Sequence, residues 1–470
     1  MRTTLLNPTV WLLAITAVTA AVGSLRGRTA RESAAVVMRY ATMSPVLMVM
    51  LAMSAAGLGS RAVLGFVAPG AYAEEVAAAR TFLGERALYS ADSRVRVREL
   101  VGDSGGASLP WAGLPGISGC QANAIENRAR FFSNHAHTPM LLLAGVPIVS
   151  VAGSRGLFAC LLLLSCAAIV AMTASVLDRL DAPWRSRSTL LIIAAIAGWQ
   201  PVLAGVRQGD AVLGAAGLVA LAWYAATRGA DGRGVFAAGF GSCLAIPAIG
   251  VLPALIRTAP RAGALAVLIF AAAAGATMAV AGPEIVPGFL RTSVETATTY
   301  AYAPQNYGVA GRLVVTGAGS LVLLGALAGG VLLTWWRART TDHAFAAFVA
   351  LGLLVAPVVW SQHLALVFVP AAVLLIAVLS RGSSASLAAW AALVLMLSLP
   401  DIAVEKLGAL IGAGALGPTF PILPFVLVVF WAWTVFAGTA PGSAGRASPH
   451  RYRKPIPGTI GPRDLTDPRT

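Results

Sequence analysis

The sequence predicts an all-α, polytopic integral membrane protein. Hydrophobic residues make up 57% of the 470 residues, and charged residues only 11%. A soluble domain needs far more polar surface than this composition provides. Apolar runs of about 20 residues, each long enough to cross a bilayer as a helix, recur along the chain. A membrane β-barrel would show short segments of alternating polarity instead, so we expect helices.

The first apolar stretch, "VWLLAITAVTAAVGSL", is interpreted as a retained membrane helix. It lacks a small-residue cleavage site followed by polar chain, which a signal peptide would have. Lys and Arg in short loops stay on the cytoplasmic side, which places the N-terminus outside and the C-terminus inside. The predicted crossings are 9–25, 44–66, 157–177, 188–206, 211–227, 262–281, 313–335, 343–360, 364–380, 385–400 and 417–438.

Two further segments are predicted to enter the membrane without crossing it. Residues 139–153 are too short to span and are expected to be interfacial or re-entrant. Residues 234–256 contain Pro247 and Pro253, and we interpret them as two re-entrant half-helices buried among other helices. About 11–13 membrane helices are therefore expected in all.

Four regions follow from this topology. They are the N-terminal transmembrane helices (1–66), an extracytoplasmic loop with membrane-surface helices (67–138), a transmembrane core (139–438) and a disordered basic cytoplasmic tail (439–470). The net charge of +15 comes mostly from arginines in short loops and the tail, so it indicates orientation in the cell membrane rather than nucleic-acid binding. The four cysteines form neither a disulfide framework nor a metal pattern.

The rare polar residues of the apolar regions collect on the predicted outer face. This face carries the loop 67–138, the turn 206–211, the loop 282–312 and the turn 360–363. In the segment "VVWSQHLALVFVP", Gln362 and His363 interrupt the most apolar third of the chain. Because they lie at a turn between two predicted crossings, we expect them to face the same side as the large loop.

The large loop begins and ends with candidate site residues. Its start, "EEVAAARTFLGE", has helical spacing, and the adjacent Glu74 and Glu75 point about 100° apart on a helix. One of them can then face a site while the other faces water; the alternative is a solvated amphipathic helix on the membrane surface. At its end, His135 and His137 suit hydrogen bonding to a phosphate or sugar, or form a polar helix start. No third ligand stands nearby, so no metal site is predicted.

Two more polar segments occur on the same face. "RQGD" places Arg207 and Asp210 at a membrane turn, where ionisable groups are costly and indicate either function or a mutual ion pair. "YAYAPQNYGVAGR" offers Asn306 and Arg312 among tyrosines, a composition that suits sugar binding and also an interfacial aromatic belt.

Five motifs, in order from about residue 70 to 380, resemble those of a known family. They are "EEVAAARTFLGERALY", "HTP", "RQGD", "QNYGVAGR" and "APVVWSQH". The chain resembles the polyprenyl-phosphate-sugar-dependent glycosyltransferases of the C-type membrane fold, in particular the actinobacterial mannosyltransferases of phosphatidylinositol-mannoside and lipomannan synthesis. It departs from them in having Glu75 where the family acid is usually Asp, and Ala245 where the family often has Lys.

The resemblance implies inverting transfer of mannose from polyprenyl-phosphate-mannose to a glycolipid or cell-envelope glycan on the outer face. It implies that Glu75, with Glu74 in reserve, takes the proton of the acceptor hydroxyl. Cationic or hydrogen-bonding groups would stabilise the leaving phosphate. The expected substrate-binding residues are His137, Arg207, Asp210, Asn306, Arg312, Gln362 and His363. No cofactor or metal is expected, and the partners are the lipid donor, the acceptor and membrane lipids.

Three alternatives remain for the activity. Arabinofuranosyl transfer from a polyprenyl-phosphate donor is the nearest, because that activity occurs on similar proteins. A lipid or solute transporter would show inverted repeats and ionisable residues at mid-membrane, whereas this sequence has no visible repeat and its charges cluster near one face. A membrane scaffold would not need a long outer loop that opens on two carboxylates.

Overall fold

A computed structural model shows that the chain is helical. The structure describes residues 7–67, 72–85, 89, 137–180, 186–229, 231–299, 306–310, 319–356, 358–399 and 422–436. Within these ranges no β-strand occurs, and the only pairing of strand type is an isolated bridge between Thr29 and Ser383. The prediction of an all-α protein is therefore confirmed.

In chain order, the helical elements are α1 Pro8–Leu25, α2 Ala30–Ala41, α3 Ser44–Val67, α4 Ala73–Glu85, α5 Pro139–Arg179, α6 Arg187–Ala197, α7 Gln200–Gln208, α8 Val212–Thr227, α9 Asp231–Leu244, a 3₁₀ segment Ile246–Gly250, α10 Val251–Thr258, α11 Pro260–Ala281, α12 Ile285–Thr299, α13 Gly319–Arg337, α14 Thr341–Val355, a second 3₁₀ segment Ser361–Val367, α15 Phe368–Arg381, α16 Ser384–Met396 and α17 Ile422–Phe436.

Several of these helices can cross a membrane. In the described part of the chain, five are long and apolar enough: α1, α3, α5, α11 and the run Ser361–Arg381. The pair α6–α7, bent by 55°, is a sixth candidate, and shorter apolar helices lie between them. The protein is thus a multi-pass membrane protein, while the number of crossings and the orientation of the chain stay predictions.

Both segments that were predicted to be re-entrant contain a break. In α5 the backbone leaves helical geometry at Gly153, whose φ is 65°, so residues 139–152 form a segment of their own direction before the apolar run. In the other segment α9 ends at Leu244, Ala245 is extended, and the 3₁₀ segment Ile246–Gly250 follows. Pro247 fits the first turn of that segment because its backbone lacks an N–H group.

Helix α8 forms the centre of the bundle. Nearly every residue from Val212 to Trp223 is buried, and the helix packs against α5 and α9. The approach to α5 is close because a side chain at Gly217 would contact the Cα atom of Ala168 at 2.5 Å. Small residues allow this kind of backbone approach between membrane helices.

Helix α4 is buried, contrary to the alternative of a solvated surface helix. Val76 and Ala79 belong to one hydrophobic cluster with α5, and Ala78 and Phe82 to another that includes Ile285 of α12. Among its described side chains only Arg80, Leu83 and Gly84 are exposed. The solvated-helix interpretation was wrong because α5 packs along α4 and Ile285 of α12 joins its second cluster, and neither contact is visible in an Ala-rich sequence.

Candidate functional site

Five ionisable side chains from four parts of the chain meet at one end of the helix bundle. We call them the polar cluster: Glu74, Glu75, His137, Asp210 and His363. Glu74 and Glu75 lie in the first turn of α4, and His137 directly precedes α5. Asp210 lies between α7 and α8, and His363 in the 3₁₀ segment Ser361–Val367.

Two carboxylates flank His137. Its Nδ1 atom lies 2.8 Å from Oε1 of Glu75, and its Nε2 atom lies 3.6 Å from Oε2 of Glu74. All three side chains are buried, Glu75 to 1% exposure. The expectation that one of the two glutamates faces water is therefore wrong: α5 packs along α4, and both carboxylates reach the same imidazole.

His137 is a buried cation. Burial opposes its protonation, but Glu75 and then Glu74 outweigh this effect and raise the pKa of His137 from 6.5 to about 10. The imidazolium is thus retained at neutral pH because each ring nitrogen points toward a carboxylate. This positive charge offsets part of the negative charge of the two carboxylates and holds Oε1 of Glu75 in place.

Two neighbouring residues hold the backbone around His137, and sequence analysis missed both. Tyr89 donates a hydrogen bond of 2.6 Å from its hydroxyl to the carbonyl of His137. Burial, followed by the nearby Glu74, raises the pKa of Tyr89 well above its usual range. Thr138 caps α5 and donates to the carbonyl of Cys243 on α9. The tyrosine of "ERALY" was a visible signal for the first, and the threonine of "HTP", directly before the proline that starts α5, was a signal for the second.

Asp210 and His363 form a second carboxylate–histidine pair. Oδ1 of Asp210 accepts the Val212 backbone N–H at 2.9 Å, and Oδ2 lies 3.9 Å from Nε2 of His363. The backbone N–H of Trp360 donates to Nδ1 of His363 at 3.2 Å. This hydrogen bond assigns the proton of a neutral His363 to Nε2, on the side that faces Asp210.

Gly209 sets the position of Asp210. Its φ of +62° is the left-handed conformation that ends α7 and turns the chain into the cluster. A side chain at Gly209 would also lie 2.7 Å from the ring of Tyr72, which precedes α4. Glycine is therefore required at this position both for the turn and for the approach of α4.

The structure brings five of the nine predicted site residues into the polar cluster, and it describes three others, Asn306, Arg207 and Gln362, outside that cluster. Asn306 is fully buried, and its Oδ1 accepts the backbone N–H groups of Gly308 (2.8 Å) and Val359 (3.0 Å). This amide oxygen therefore joins two chain segments beside the cluster. Arg207 is half-buried on the last turn of α7, Gln362 is buried, and Arg312 lies outside the described residues.

A small cavity of about 50 Å³ separates the two carboxylate–histidine pairs. Its polar lining comes from His137, Thr138, Asp210, Thr296, Trp360 and His363. The broken segment after α9 supplies much of the apolar lining, including Ala245 and Pro247. A volume of this size admits a few water molecules or the end of a polar substrate.

Glu75 lies behind His137 rather than in the cavity lining. Its Oε2 atom is buried and has no hydrogen-bond partner among the residues that the structure describes. A buried carboxylate oxygen is normally hydrogen-bonded, so this atom is suited to receive a hydroxyl group or a water molecule. The described residues contain no group of three or more potential ligands arranged to hold a metal ion.

A comparison with known families gives a match over part of the chain. Residues 136–361 match the model of glycosyltransferase family 87, just under half of the chain. The matched segment starts beside His137, includes Asp210 and Asn306, and ends next to Gln362. No curated protein and no solved structure matches the chain. On a helical multi-pass membrane protein, this similarity indicates a membrane glycosyltransferase, which uses a sugar donor and an acceptor.

Proposed function

We propose that the protein transfers mannose from polyprenyl-phosphate-mannose to a glycolipid or cell-envelope glycan on the outer face of the cell membrane, with inversion. The observation that carries the proposal is the buried carboxylate–histidine cluster around a cavity at one end of the bundle. The order of the five motifs and the match to glycosyltransferase family 87 support the same reaction class.

Glu75 is proposed as the general base. The acceptor hydroxyl gives its proton to Oε2 of Glu75 while its oxygen forms a bond to C1 of the sugar. The bond between C1 and the phosphate oxygen breaks, and the lipid phosphate leaves with the electron pair. Oε1 of the same carboxylate is held by His137 at 2.8 Å, which fixes the orientation of the side chain.

His137 and His363 are proposed to receive the phosphate. Both line the cavity, and the positive charge of His137 offsets part of the negative charge of Glu74 and Glu75, which reduces the repulsion that a phosphate would meet there. Charge that develops on the leaving phosphate is stabilised by donors that are fixed before the reaction begins. Asp210 orients His363 and is the rival base, because it is the carboxylate that lines the cavity.

The distribution of arginines supports an outer location for the polar cluster. Arg26, Arg28 and Arg31 lie around the start of α2, at the opposite end of α3 from α4 and its two glutamates. Lys and Arg in short loops stay in the cytoplasm. The end of the bundle with the polar cluster is then extracytoplasmic.

The test is transfer of labelled mannose from polyprenyl-phosphate-mannose to membrane lipids by the purified protein. Wild type is compared with Glu75→Gln, Glu74→Gln and Asp210→Asn. Loss in Glu75→Gln alone, with transfer kept in Glu74→Gln, supports the reaction and the base. Wild-type activity in Glu75→Gln with loss in Asp210→Asn would move the base to Asp210.

Arabinofuranosyl transfer is the second candidate, favoured by one position in the cavity. Ala245, which lines it, stands where the similar mannosyltransferases often have a lysine. A changed side chain at the donor site favours a changed donor sugar. Activity with polyprenyl-phosphate-arabinose and none with the mannose donor would decide for this alternative, and activity with neither would reject both.

A further inference from the structure

A second, larger cavity lies at the other end of the bundle. It measures about 350 Å³, is partly open, and is lined by α1, α2, α6, α15 and α16, with the end of α5. Trp199, before α7, and Phe368, at the start of α15, are among its lining residues. No described residue lines both cavities, and the length of α7, about 13 Å, separates Trp199 from the turn at Asp210.

The polar groups in the wall of this cavity are used within the protein. The hydroxyl of Thr9 donates to the carbonyl of Ala195 at 2.6 Å, and that of Thr16 to Leu12 at 2.7 Å. The indole N–H groups of Trp199 and Trp390 donate to Ser398 and Ala371. The remaining lining is aliphatic or aromatic, so the cavity cannot bind a sugar and offers water nothing to bond with.

The cavity is partly open to the outside of the bundle, and its wall is almost entirely apolar. Apolar surface of this kind is stabilised when an apolar group covers it. In a bilayer, the apolar group that is available to occupy such a cavity is the hydrocarbon chain of a lipid. With about 30 Å³ for a group the size of a water molecule, the cavity takes on the order of ten methylene groups.

A positive charge lies at the edge of the cavity. Arg31 of α2 is exposed and donates from Nε to the carbonyl of Leu379, which lines the cavity, at 2.8 Å. That bond caps the last turn of α15 and uses Nε only, so the two terminal guanidinium nitrogens of this exposed side chain make no hydrogen bond to a described residue. Their fork geometry suits a phosphate group. Arg381, at the end of α15, and Arg28, before α2, are also exposed and add positive charge nearby.

We propose that this cavity binds one acyl chain of an anionic phospholipid of the membrane, with the lipid phosphate on Arg31. The ligand is a resident membrane lipid and not the sugar donor, because the wall is apolar throughout and the cavity is separate from the polar cluster. The site is independent of the reaction proposed above.

The test measures lipid bound to the purified full-length protein by native mass spectrometry. The detergent-solubilised protein is incubated with an equimolar mixture of phosphatidylglycerol and phosphatidylcholine that carry identical acyl chains. Wild type is expected to retain phosphatidylglycerol in preference. Ala372→Phe and Ala195→Leu, on opposite walls, fill the cavity and should each reduce the bound lipid about tenfold, with an unchanged or higher unfolding temperature because they fill existing space.

The variant Arg31→Gln tests the contribution of the lipid headgroup to binding separately from that of the acyl chain. It should keep lipid bound but reduce the preference for phosphatidylglycerol about fivefold, the effect of one arginine near an anionic headgroup. Arg261→Gln is the matched control, because Arg261 is exposed at the start of α11, which does not line the cavity. The proposal is overturned if both filled variants bind as much phosphatidylglycerol as wild type, if polyprenyl phosphate displaces it from wild type, or if Arg31→Gln and Arg261→Gln behave alike.

Discussion

The acidic side chains at the two ends of the bundle have different partners. At one end, which we call the arginine-rich end because it carries Arg179 and Arg228, Asp342 pairs with Arg179 and also accepts the indole N–H of Trp223, and Asp178 pairs with Arg228. The Arg179 and Asp342 side chains are 28% and 29% exposed. At the other end Glu75 is 1% exposed and its partner is a histidine.

This difference separates a structural ion pair from a site that can exchange protons. Arginine stays protonated under all ordinary conditions, so its pairs with Asp342 and Asp178 can only hold helices together. Histidine can gain or lose a proton near neutral pH, and its environment decides which state it keeps. The end with buried histidine–carboxylate pairs is therefore the end where chemistry is expected.

The largest loss of sugar transfer is predicted for replacement of the proposed base, Glu75. Glu75→Gln keeps the shape of the side chain but removes the proton acceptor, so sugar transfer should fall by about 100-fold or more. Asp342→Asn, the matched change at the arginine-rich end, should leave the rate of transfer within a few-fold of wild type. Initial rates of both variants with the same lipid donor test this difference between the two ends. Equal losses of transfer in the two variants would show that the ends do not differ in this way.

Replacement of the buried cation, His137, should give the second-largest loss of sugar transfer. His137→Gln removes the charge between Glu74 and Glu75, and transfer should fall about tenfold to 100-fold because a group that stabilises the leaving phosphate is lost.

The same variant has a pH signature. The pKa of His137 is raised to about 10 in the folded protein, above its ordinary 6.5. The stabilisation from this group is therefore fully present below about pH 6.5 and is lost as the pH rises through 10. The unfolding temperature of wild type in detergent should fall more steeply over this range than that of His137→Gln. Parallel curves for the two proteins would show that the imidazolium is not the stabilising species.

A substitution at a close backbone contact beside the small cavity should have a smaller effect on sugar transfer. A side chain at Gly250, in the 3₁₀ segment, would collide with the carbonyl of Phe348 on α14. Gly250→Ala should cost about 2 kcal/mol of unfolding free energy and also lower transfer, since this segment carries the cavity wall. Gly275→Ala on α11, where no atom lies within 4 Å, should be neutral or stabilising. Destabilisation by both changes would point to a general intolerance of the bundle.

The smallest effect is expected at the arginine-rich end. Arg179→Gln removes the partly exposed pair with Asp342 and a cation–π contact with Trp223, whose centroid is 5.9 Å away. Because such pairs are partly solvated, the unfolding free energy should fall by only about 1 kcal/mol, with sugar transfer unchanged. Chemical denaturation together with the transfer assay measures both quantities. A large loss of transfer would show that the arginine-rich end also contributes to the reaction.

Part of the site was visible in the sequence. Glu75 and His137 were singled out at the two ends of the large loop, Asp210 and His363 at two membrane turns, and all four through the resemblance to a known family; the structure brings these four together. Their roles in the reaction stay predictions. The burial of Glu74 and the scaffold contacts of Asn306 were not foreseeable, since they depend on α5, α12 and the segment 358–360, each far away along the chain.

The sequence by itself determined the class of the protein and its candidate residues. Composition and the length of the apolar runs require membrane helices, because a backbone in lipid must satisfy its own hydrogen bonds. The tertiary structure alone decided that both glutamates lie on one imidazole, that Glu75 sits behind His137, and that an apolar cavity lies between α1 and α15. Pairing distances and packing voids arise from the relative placement of helices, which the order of residues along a single helix does not encode.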